Sequence, residues 1–142
     1  TDLPWGSSWG DLFTDNGDGT VTDELTGLIW LKNASCYGYR SWTEALSDAA
    51  TLNNGECGLS DGSAEGDWRL PNSTELRSLI DPGQDNPSLP RHHPFTASQW
   101  HIYWSSSSGA SNAWDVDMAN GYSGIFGKDS YSRSVWPVRG GQ

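Results

Sequence analysis

The chain has 142 residues, a length typical of one domain, and its 18 acidic residues against 8 Lys and Arg give a formal net charge of −10. That charge, together with the lack of any Lys/Arg run, excludes nucleic acid and anionic membrane surfaces as expected partners. No apolar run approaches the 18 residues of a membrane span, and 9 Trp, 5 Tyr and 3 Phe are atypical of a disordered chain.

The N-terminal part of the chain predicts extended structure. Asn-Gly and Asp-Gly pairs at 16–19 are typical of a tight turn. Residues 11–32 are therefore predicted to form a hairpin, within which a second extended piece lies at 28–31. We treat residues 1–142 as a single domain in which residues 1–10 are an N-terminal extension.

Two helices are predicted next. Ser41 stands three residues before Glu44, and Asn72 stands three residues before Glu75. Each pair predicts a capping box, in which the first side chain caps the helix and the acidic side chain reaches back to it. Apolar residues recur at helical spacing after both caps, and the second helix is expected to continue through Ile80.

The C-terminal part changes to strand spacing. Residues 82–99 contain four Pro and are predicted to be irregular, whereas a period of two begins at Trp100. Asn-Gly at 120–121 predicts a hairpin turn, and residues 135–139 predict a last strand whose Pro confines it to an edge or a bulge. Strands, then two helices, then strands without alternation predict the α+β class.

The hairpin before this last strand carries an alternating pattern. We expect Trp114, Val116 and Met118 to pack inward. Side chains of a strand alternate between its two faces, so this packing would turn Asp115 and Asp117 towards solvent. Carboxylates on an exposed face make the hairpin a candidate ligand-binding surface.

The aromatic residues divide into two predicted groups. Trp30, Trp42 and Trp68 begin or end regular elements, so we expect them in the core. Tyr122, Phe126 and Tyr131 lie among Gly and Ser and are expected to be exposed. Exposed rings beside polar residues favour binding, because rings offer contact area at a small entropy cost and polar side chains adapt their hydrogen bonds.

Cys36 and Cys57 are the two cysteines of the chain, and their spacing fits neither a CxxC redox site nor a zinc knuckle. In a cytosolic protein they would more often be free or metal-binding thiols, whereas outside the cell an even number indicates a disulfide. The chain opens Thr-Asp-Leu-Pro without Met or a signal peptide, which we interpret as a processed or truncated extracellular domain. We therefore expect the disulfide.

An acidic loop at 61–67 carries Asp61, Glu65 and Asp67. Calcium prefers clustered oxygen ligands, so these residues are the candidate metal ligands and calcium is the candidate cofactor; the alternative is a solvated loop. Catalytic patterns are missing from the sequence: the serines at 105–108 lack a GxSxG elbow, and the His residues lack zinc-ligand spacing. We expect that the protein is not an enzyme.

Five sequence blocks follow one another along nearly the whole chain. They are FTDNGDGTVTD at 13–23, TGLIW at 26–30, GDWRLPN at 66–72, YWSS at 103–106 and VRGG at 138–141. In this order they closely resemble the Legionella collagen-like protein C-terminal domain family, and the segments around the two cysteines look like its cysteine-paired subgroup. The resemblance implies a C-type lectin-like fold, with two helices packed on small, mostly antiparallel sheets, in a secreted or cell-surface bacterial protein.

The resemblance also implies a site. Retroelement-diversified ligand-binding proteins share this fold and contact their ligands through the last strands and turns. The matching positions here that we expect to face solvent are Asp115, Asp117, Tyr122, Phe126, Lys128, Asp129, Tyr131 and Arg133. The Glu-Pro-Asn and Gln-Pro-Asp motifs of calcium-dependent sugar sites are absent from the sequence.

Two functions follow from these observations. The first is an extracellular ligand-binding or adhesion module that recognises a glycan or a protein surface through its C-terminal strands and loops. The second is a structural or assembly module, oligomerising or filament-associated, that has no ligand of its own. A homo-oligomer is a candidate state of the protein.

Overall fold

The computed structural model of the protein describes residues 13–34, 36–81, 83, 94–96, 102–109, 111–128 and 132–140. Its elements in chain order are β1 (Phe13–Asp15), β2 (Thr20–Asp23), β3 (Leu28–Leu31), α1 (Trp42–Thr51), α2 (Ser73–Arg77), β4 (Ile102–Ser108), β5 (Asn112–Asp117), β6 (Ser123–Gly127) and β7 (Val138–Gly140). The predicted N-terminal extension at 1–10 and most of the irregular segment predicted at 82–99 lie outside the described residues.

The strands form two small antiparallel sheets. One sheet has the order β1-β2-β3-β7, so the last strand returns to pair with β3 beside the first hairpin. The other sheet has the order β4-β5-β6. Two helices and two antiparallel sheets confirm the predicted α+β class, and the arrangement is consistent with the C-type lectin-like fold that the resemblance implies.

Both predicted capping boxes are present. The Ser41 hydroxyl accepts a hydrogen bond from the Glu44 amide, and the Ser41 amide donates to the Glu44 carboxylate. Asn72 and Glu75 exchange the same two hydrogen bonds at the start of α2. The second helix is shorter than predicted: after Arg77 the chain continues with i→i+3 turn bonds, which end the regular helix before Ile80.

A cluster of aromatic rings fills the larger core between the sheets. Trp136 lies at its centre and contacts the rings of Trp30, Phe95 and Tyr103, with ring centroids 4.8–5.3 Å apart. All four side chains are buried. Aromatic pairs at these distances stabilise a core beyond the area they bury. We name this group the Trp136 core.

The prediction that three Trp residues are buried in the core is confirmed for two of them. Trp30 and Trp68 are buried, as predicted. Trp42 is only half-buried, so that prediction is wrong. Its indole nitrogen donates to the Ser105 carbonyl, and the amine of Lys128 lies 4.3 Å from the ring centroid. The ring therefore contacts polar groups and lies outside the buried core.

The predicted disulfide is confirmed. Cys36 and Cys57 are joined, with their Cα atoms 5.7 Å apart. The bond connects the segment before α1 to the segment after it, and both cysteines pack against the larger core. Disulfides are typical of proteins that work in oxidising compartments.

Candidate functional site

The sheet formed by β4, β5 and β6 has two different faces. Residues opposite one another in the register share a face, and side chains alternate along each strand. One face carries Trp104, Ala113 and Asp115, and we call it the Asp115 face. The opposite face carries Tyr103 and Val116, and we call it the Val116 face.

The alternation along β5 is the predicted one, but the predicted exposure is wrong at two positions. Asp115 is 3% exposed, whereas Trp114 is 40% exposed. The reason is that each face is covered at a different place. Helix α1 packs near Ala113 on the Asp115 face, and the Trp136 core covers Val116 on the other face. An alternation of apolar and polar residues in the sequence does not reveal that both faces of a strand are covered.

A buried ion pair forms the floor of the Asp115 face. The guanidinium of Arg133 donates through Nε to the Asp115 carboxylate at 2.8 Å, and its carbon lies 4.9 Å from the centroid of the Phe126 ring. The side chains of Arg133 and Asp115 are 16% and 4% exposed. The backbone of Arg133 also exchanges two hydrogen bonds with Arg40, which holds this residue beside the sheet.

Gly124 is required by this packing. A Cβ atom at Gly124 would lie 2.5 Å from a carbon of the Phe126 ring and 3.0 Å from an oxygen of Asp115. Real Cβ atoms do not approach ring carbons so closely, so a side chain there would displace the ring. The glycine therefore leaves room for the Phe126 ring over the strand.

The turn between β5 and β6 projects an aromatic side chain. Asp117 accepts a hydrogen bond from the Ala119 amide at 2.8 Å, and Asn120 accepts one from the Tyr122 amide at 3.0 Å. Gly121 has a φ of 81°, a left-handed conformation that glycine adopts without strain. The turn leaves Tyr122 74% exposed at the edge of the Asp115 face.

Between these groups the Asp115 face holds a cavity of about 180 Å³. It is lined by Ile102, Asp115, Asp117, Asn120, Tyr122, Ser123, Gly124, Phe126 and Arg133. A second cavity of about 200 Å³ is lined by Tyr39, Ile102, Ser132 and Arg133. The two cavities share Ile102 and Arg133, and each has an exposed tyrosine in its lining, Tyr122 in the first and Tyr39 in the second.

The structure brings five of the eight candidate ligand-binding residues to this cavity: Asp115, Asp117, Tyr122, Phe126 and Arg133. Phe126, expected to be exposed, is partly covered by the Arg133 guanidinium. Lys128 lies over Trp42 and is not among the lining residues. Asp129 and Tyr131 lie outside the described residues.

Sequence reasoning missed other residues of the site. Ile102 and Tyr39 come from distant segments, and no local pattern indicates that they lie beside Arg133. Asn120 was recognised only as a turn residue, although it also lines the cavity. The signal that could have found it is the Asn-Gly pair itself, because residues that build such a turn lie beside the strand ends.

Two of the three candidate calcium ligands are engaged by other groups of the protein. Asp61 has a side chain that is 1% exposed; it accepts from Ser63 and pairs with Arg139 at 3.0 Å. Asp67 accepts from the Ala64 amide, and Glu65 is exposed. Among the residues that the structure describes, no group of three or more His, Cys, Asp or Glu side chains is arranged to hold a metal ion.

A larger cavity, of about 650 Å³, lies beside the first hairpin. Its lining is Asp15, Gly17, Gly19, Lys32, Asn33, Cys57, Gly58 and Thr96. The two charged side chains of this set, Asp15 and Lys32, pair with one another at 2.7 Å. Most of the remaining lining is glycine and other small residues without an aromatic ring, so we place the candidate ligand site on the Asp115 face.

Neither described helix is long and apolar enough to cross a membrane.

Comparison with known proteins gives one result that identifies a family. A search of curated proteins found no match. The family model described as the Lcl C-terminal domain matches residues 19–139, a range that contains both helices and both cysteines. The chain therefore belongs to the Lcl C-terminal domain family, the family of the Legionella collagen-like protein that its sequence blocks resemble.

Proposed function

We propose that this domain is an extracellular ligand-binding or adhesion module that recognises a glycan, or a protein surface, through the Asp115 face, without catalysing a reaction. The observation that carries the proposal is the cavity in which five residues selected from the sequence converge. Concave surfaces with a few convergent polar groups beside apolar side chains are the usual form of a binding site.

The lining of the cavity suits a sugar better than a flat protein surface. Tyr122 offers an exposed ring on which the C–H face of a sugar can stack. The carboxylate of Asp117 and the amide of Asn120 supply donors and acceptors for sugar hydroxyls. Asp117 accepts one bond from the chain itself, and a carboxylate has about four acceptor positions, so it keeps capacity for a ligand.

The floor of the cavity is held rigidly, which supports binding without reorganisation. Arg133 is fixed by Asp115, by the Phe126 ring and by the backbone of Arg40. A site whose groups are already in place loses less conformational entropy when a ligand binds. With Asp115 neutralised by Arg133, the remaining acidic side chain is Asp117, which favours neutral or cationic ligand groups over anionic ones.

The compartment is the second part of the proposal. A disulfide between Cys36 and Cys57 is typical of secreted and surface proteins, and it supports a position outside the cell. The disulfide joins the segments on either side of α1.

The test is to screen the purified domain on a glycan array and to titrate the strongest glycan by calorimetry. Exposed aromatic anchors dominate such contacts, so Tyr122→Ala is expected to weaken binding by about 2 kcal/mol or more, which is roughly thirtyfold. Lys128→Ala should have a smaller effect. Leu25→Ala, which removes an exposed apolar side chain in another part of the molecule, is the matched control and should bind normally.

Two results would count against the proposal. Binding to no glycan on the array contradicts the glycan ligand, and normal titration by both Tyr122→Ala and Asp117→Ala moves the site away from the Asp115 face. The same screen distinguishes the alternative function, a structural or assembly module. Such a module is expected to bind no glycan, and its molecular mass in solution should rise with protein concentration.

A further inference from the structure

Three residues that line the cavity on the Asp115 face form a row across the sheet. Ile102 lies opposite Asp117 in the register of β4 and β5. The Asp117 amide donates to the Tyr122 carbonyl at 2.8 Å, which continues the register of β5 and β6 by one pair. Residues opposite one another share a face, with Cβ atoms about 5 Å apart. The Asp117 carboxylate therefore has the exposed Tyr122 ring as its neighbour on one side and an apolar side chain on the other.

The carboxylate in this row keeps an oxygen atom for a ligand. The Oδ1 atom of Asp117 accepts a hydrogen bond from the Ala119 amide at 2.8 Å. Its Oδ2 atom has no hydrogen-bond or ion-pair partner among the residues that the structure describes. Asp115, two residues earlier on β5, is instead paired with Arg133 at 2.8 Å. Since the charges of Asp115 and Arg133 balance one another, Asp117 gives the cavity a net negative charge.

The exposed ring in the row also differs from other rings of the molecule. Three rings have a cation of the chain at 4.3–5.2 Å from the ring centroid: Lys128 at Trp42, Arg133 at Phe126 and Arg139 at Trp68. Tyr122 is 74% exposed and has no such neighbour in the described part of the chain. The face of an aromatic ring attracts a cation through its quadrupole. The Tyr122 ring is thus open to a cation that a ligand brings.

We propose that this row recognises a sugar with a free amine, bound in its ammonium form by Asp117 and Tyr122. The inference rests on the proposed function and narrows its ligand to amino sugars. The ammonium donates to Oδ2 of Asp117, and a hydrogen bond between two charged groups is about twice as strong as one between neutral groups. The C–H groups next to an ammonium share its positive charge, so the sugar face that stacks on Tyr122 is attracted more strongly. The net charge of −10 draws such a ligand towards the protein.

The remaining lining favours an amino sugar over the lysine side chain of a partner protein. The Asn120 side chain accepts from the Tyr122 amide through its oxygen, and its Nδ2 atom has no partner among the described residues. A sugar has hydroxyl groups beside its amine that can accept from Nδ2, whereas a lysine side chain has only methylene groups there. N-acetylation turns the amine into a neutral amide, so it removes the charge that Asp117 and Tyr122 attract.

The first test compares ligands that differ only at the nitrogen. The native, disulfide-bonded protein is titrated by calorimetry in mildly acidic buffer, in which sugar amines are protonated. The ligands are the tetrasaccharides of glucosamine and galactosamine, each beside its N-acetylated counterpart. At least one free-amine ligand is expected to bind about tenfold more tightly than its counterpart. Tetralysine carries similar charge without sugar rings and is expected to bind more weakly than that ligand.

The second test assigns the preference to the row. Asp117→Asn removes the charge but keeps an oxygen that can accept from the Ala119 amide, so the preference should fall to about twofold or less. The affinity for the N-acetylated ligand should change little, which shows that the variant is folded. Tyr122→Leu keeps an apolar contact without the ring and should lower the preference about threefold. Glu24→Gln, which removes one charge at an exposed position after β2, is the matched control and should keep the tenfold preference.

The outcomes distinguish this inference from the proposed function. A glycan that binds through Tyr122 without preference for a free amine overturns the inference and leaves the proposed function in place. A preference that survives in Asp117→Asn, or that Glu24→Gln loses equally, overturns it because the charge would then act from elsewhere. Tetralysine binding as tightly as the amino sugars overturns it in favour of a basic protein partner. If no glycan binds, both the inference and the glycan ligand are wrong.

Discussion

Aromatic residues serve two different regions of this molecule. In the Trp136 core, rings contact rings at 4.8–5.3 Å and are excluded from water. On the Asp115 face, the Phe126 ring contacts a guanidinium, and Tyr122 is 74% exposed. The comparison teaches that the neighbours of a ring decide its role. The rings packed among rings stabilise the fold, whereas the water-exposed ring of Tyr122 is available to a ligand.

The largest expected effect is on the Trp136 core. Trp136→Ala removes a fully buried ring that contacts three others and donates to the Leu31 carbonyl at 2.8 Å. Truncations of this kind leave a cavity, so we expect the free energy of unfolding to fall by about 3–5 kcal/mol in denaturant titrations. A loss below about 1 kcal/mol would show that the core is not where the stability lies.

Removal of the disulfide should lower the free energy of unfolding by a comparable amount and should leave ligand binding unchanged. Replacing both Cys36 and Cys57 by Ala opens a loop with a sequence separation of 21 residues, which costs about 3 kcal/mol in the chain-entropy model. Since neither residue lines the cavity on the Asp115 face, ligand affinity of the folded fraction should be unchanged. A lower affinity at a temperature well below the midpoint would contradict this separation.

A smaller loss of stability is expected at the floor of the cavity. Arg133→Met leaves the buried carboxylate of Asp115 without its charged partner, so we expect a loss of about 1.5–3 kcal/mol in the free energy of unfolding. Arg40→Met is the matched control, because its pair with Asp48 is more exposed, with side chains 39% and 26% accessible. Exposed pairs contribute about 0–1 kcal/mol, and equal losses in the two variants would refute the buried pair.

Acid should weaken the fold through carboxylates outside the cavity. Burial opposes ionisation of Glu75, but hydrogen bonds from Arg69 and Asn72 outweigh it and hold the pKa of Glu75 below its ordinary 4.5. Burial of Asp61 is likewise outweighed by hydrogen bonds from Ser63 and the charge of Arg139, which hold its pKa below 3.8. Burial raises the pKa of Asp23, which acts in the opposite direction.

A lowered carboxyl pKa in the folded state gives stability that is present above the unfolded value and is lost as pH falls through the folded value. We therefore expect the free energy of unfolding to be level from pH 7 to about pH 5 and to fall below about pH 4.5. Glu75→Gln removes one of these groups, so its stability should vary less over the same range. A variant as acid-sensitive as the wild type would exclude Glu75 as a contributor.

The sequence predicts the parts of this structure that depend on neighbours along the chain. Ser41 with Glu44 gives a helix start, and Asn-Gly gives a turn, because the hydrogen bonds involved are local. The prediction that Asp115 faces solvent is wrong because its burial depends on Arg133, 18 residues away, and on α1, which covers the same face. The candidate site was found through family resemblance and exposed aromatic residues, whereas its partner Ile102 comes from a strand with no local sign of that role.

The smallest effect on stability is expected where the effect on binding is largest. Tyr122 is 74% exposed, and its backbone amide, which alanine preserves, donates to the side-chain oxygen of Asn120. Tyr122→Ala should therefore change the free energy of unfolding by no more than about 0.5 kcal/mol, as surface substitutions usually do. Denaturant titration without ligand measures this value, and calorimetry on the same sample measures the affinity. A loss above about 2 kcal/mol in stability would make Tyr122 a structural residue like Trp136, and the division between the two aromatic regions would then be wrong.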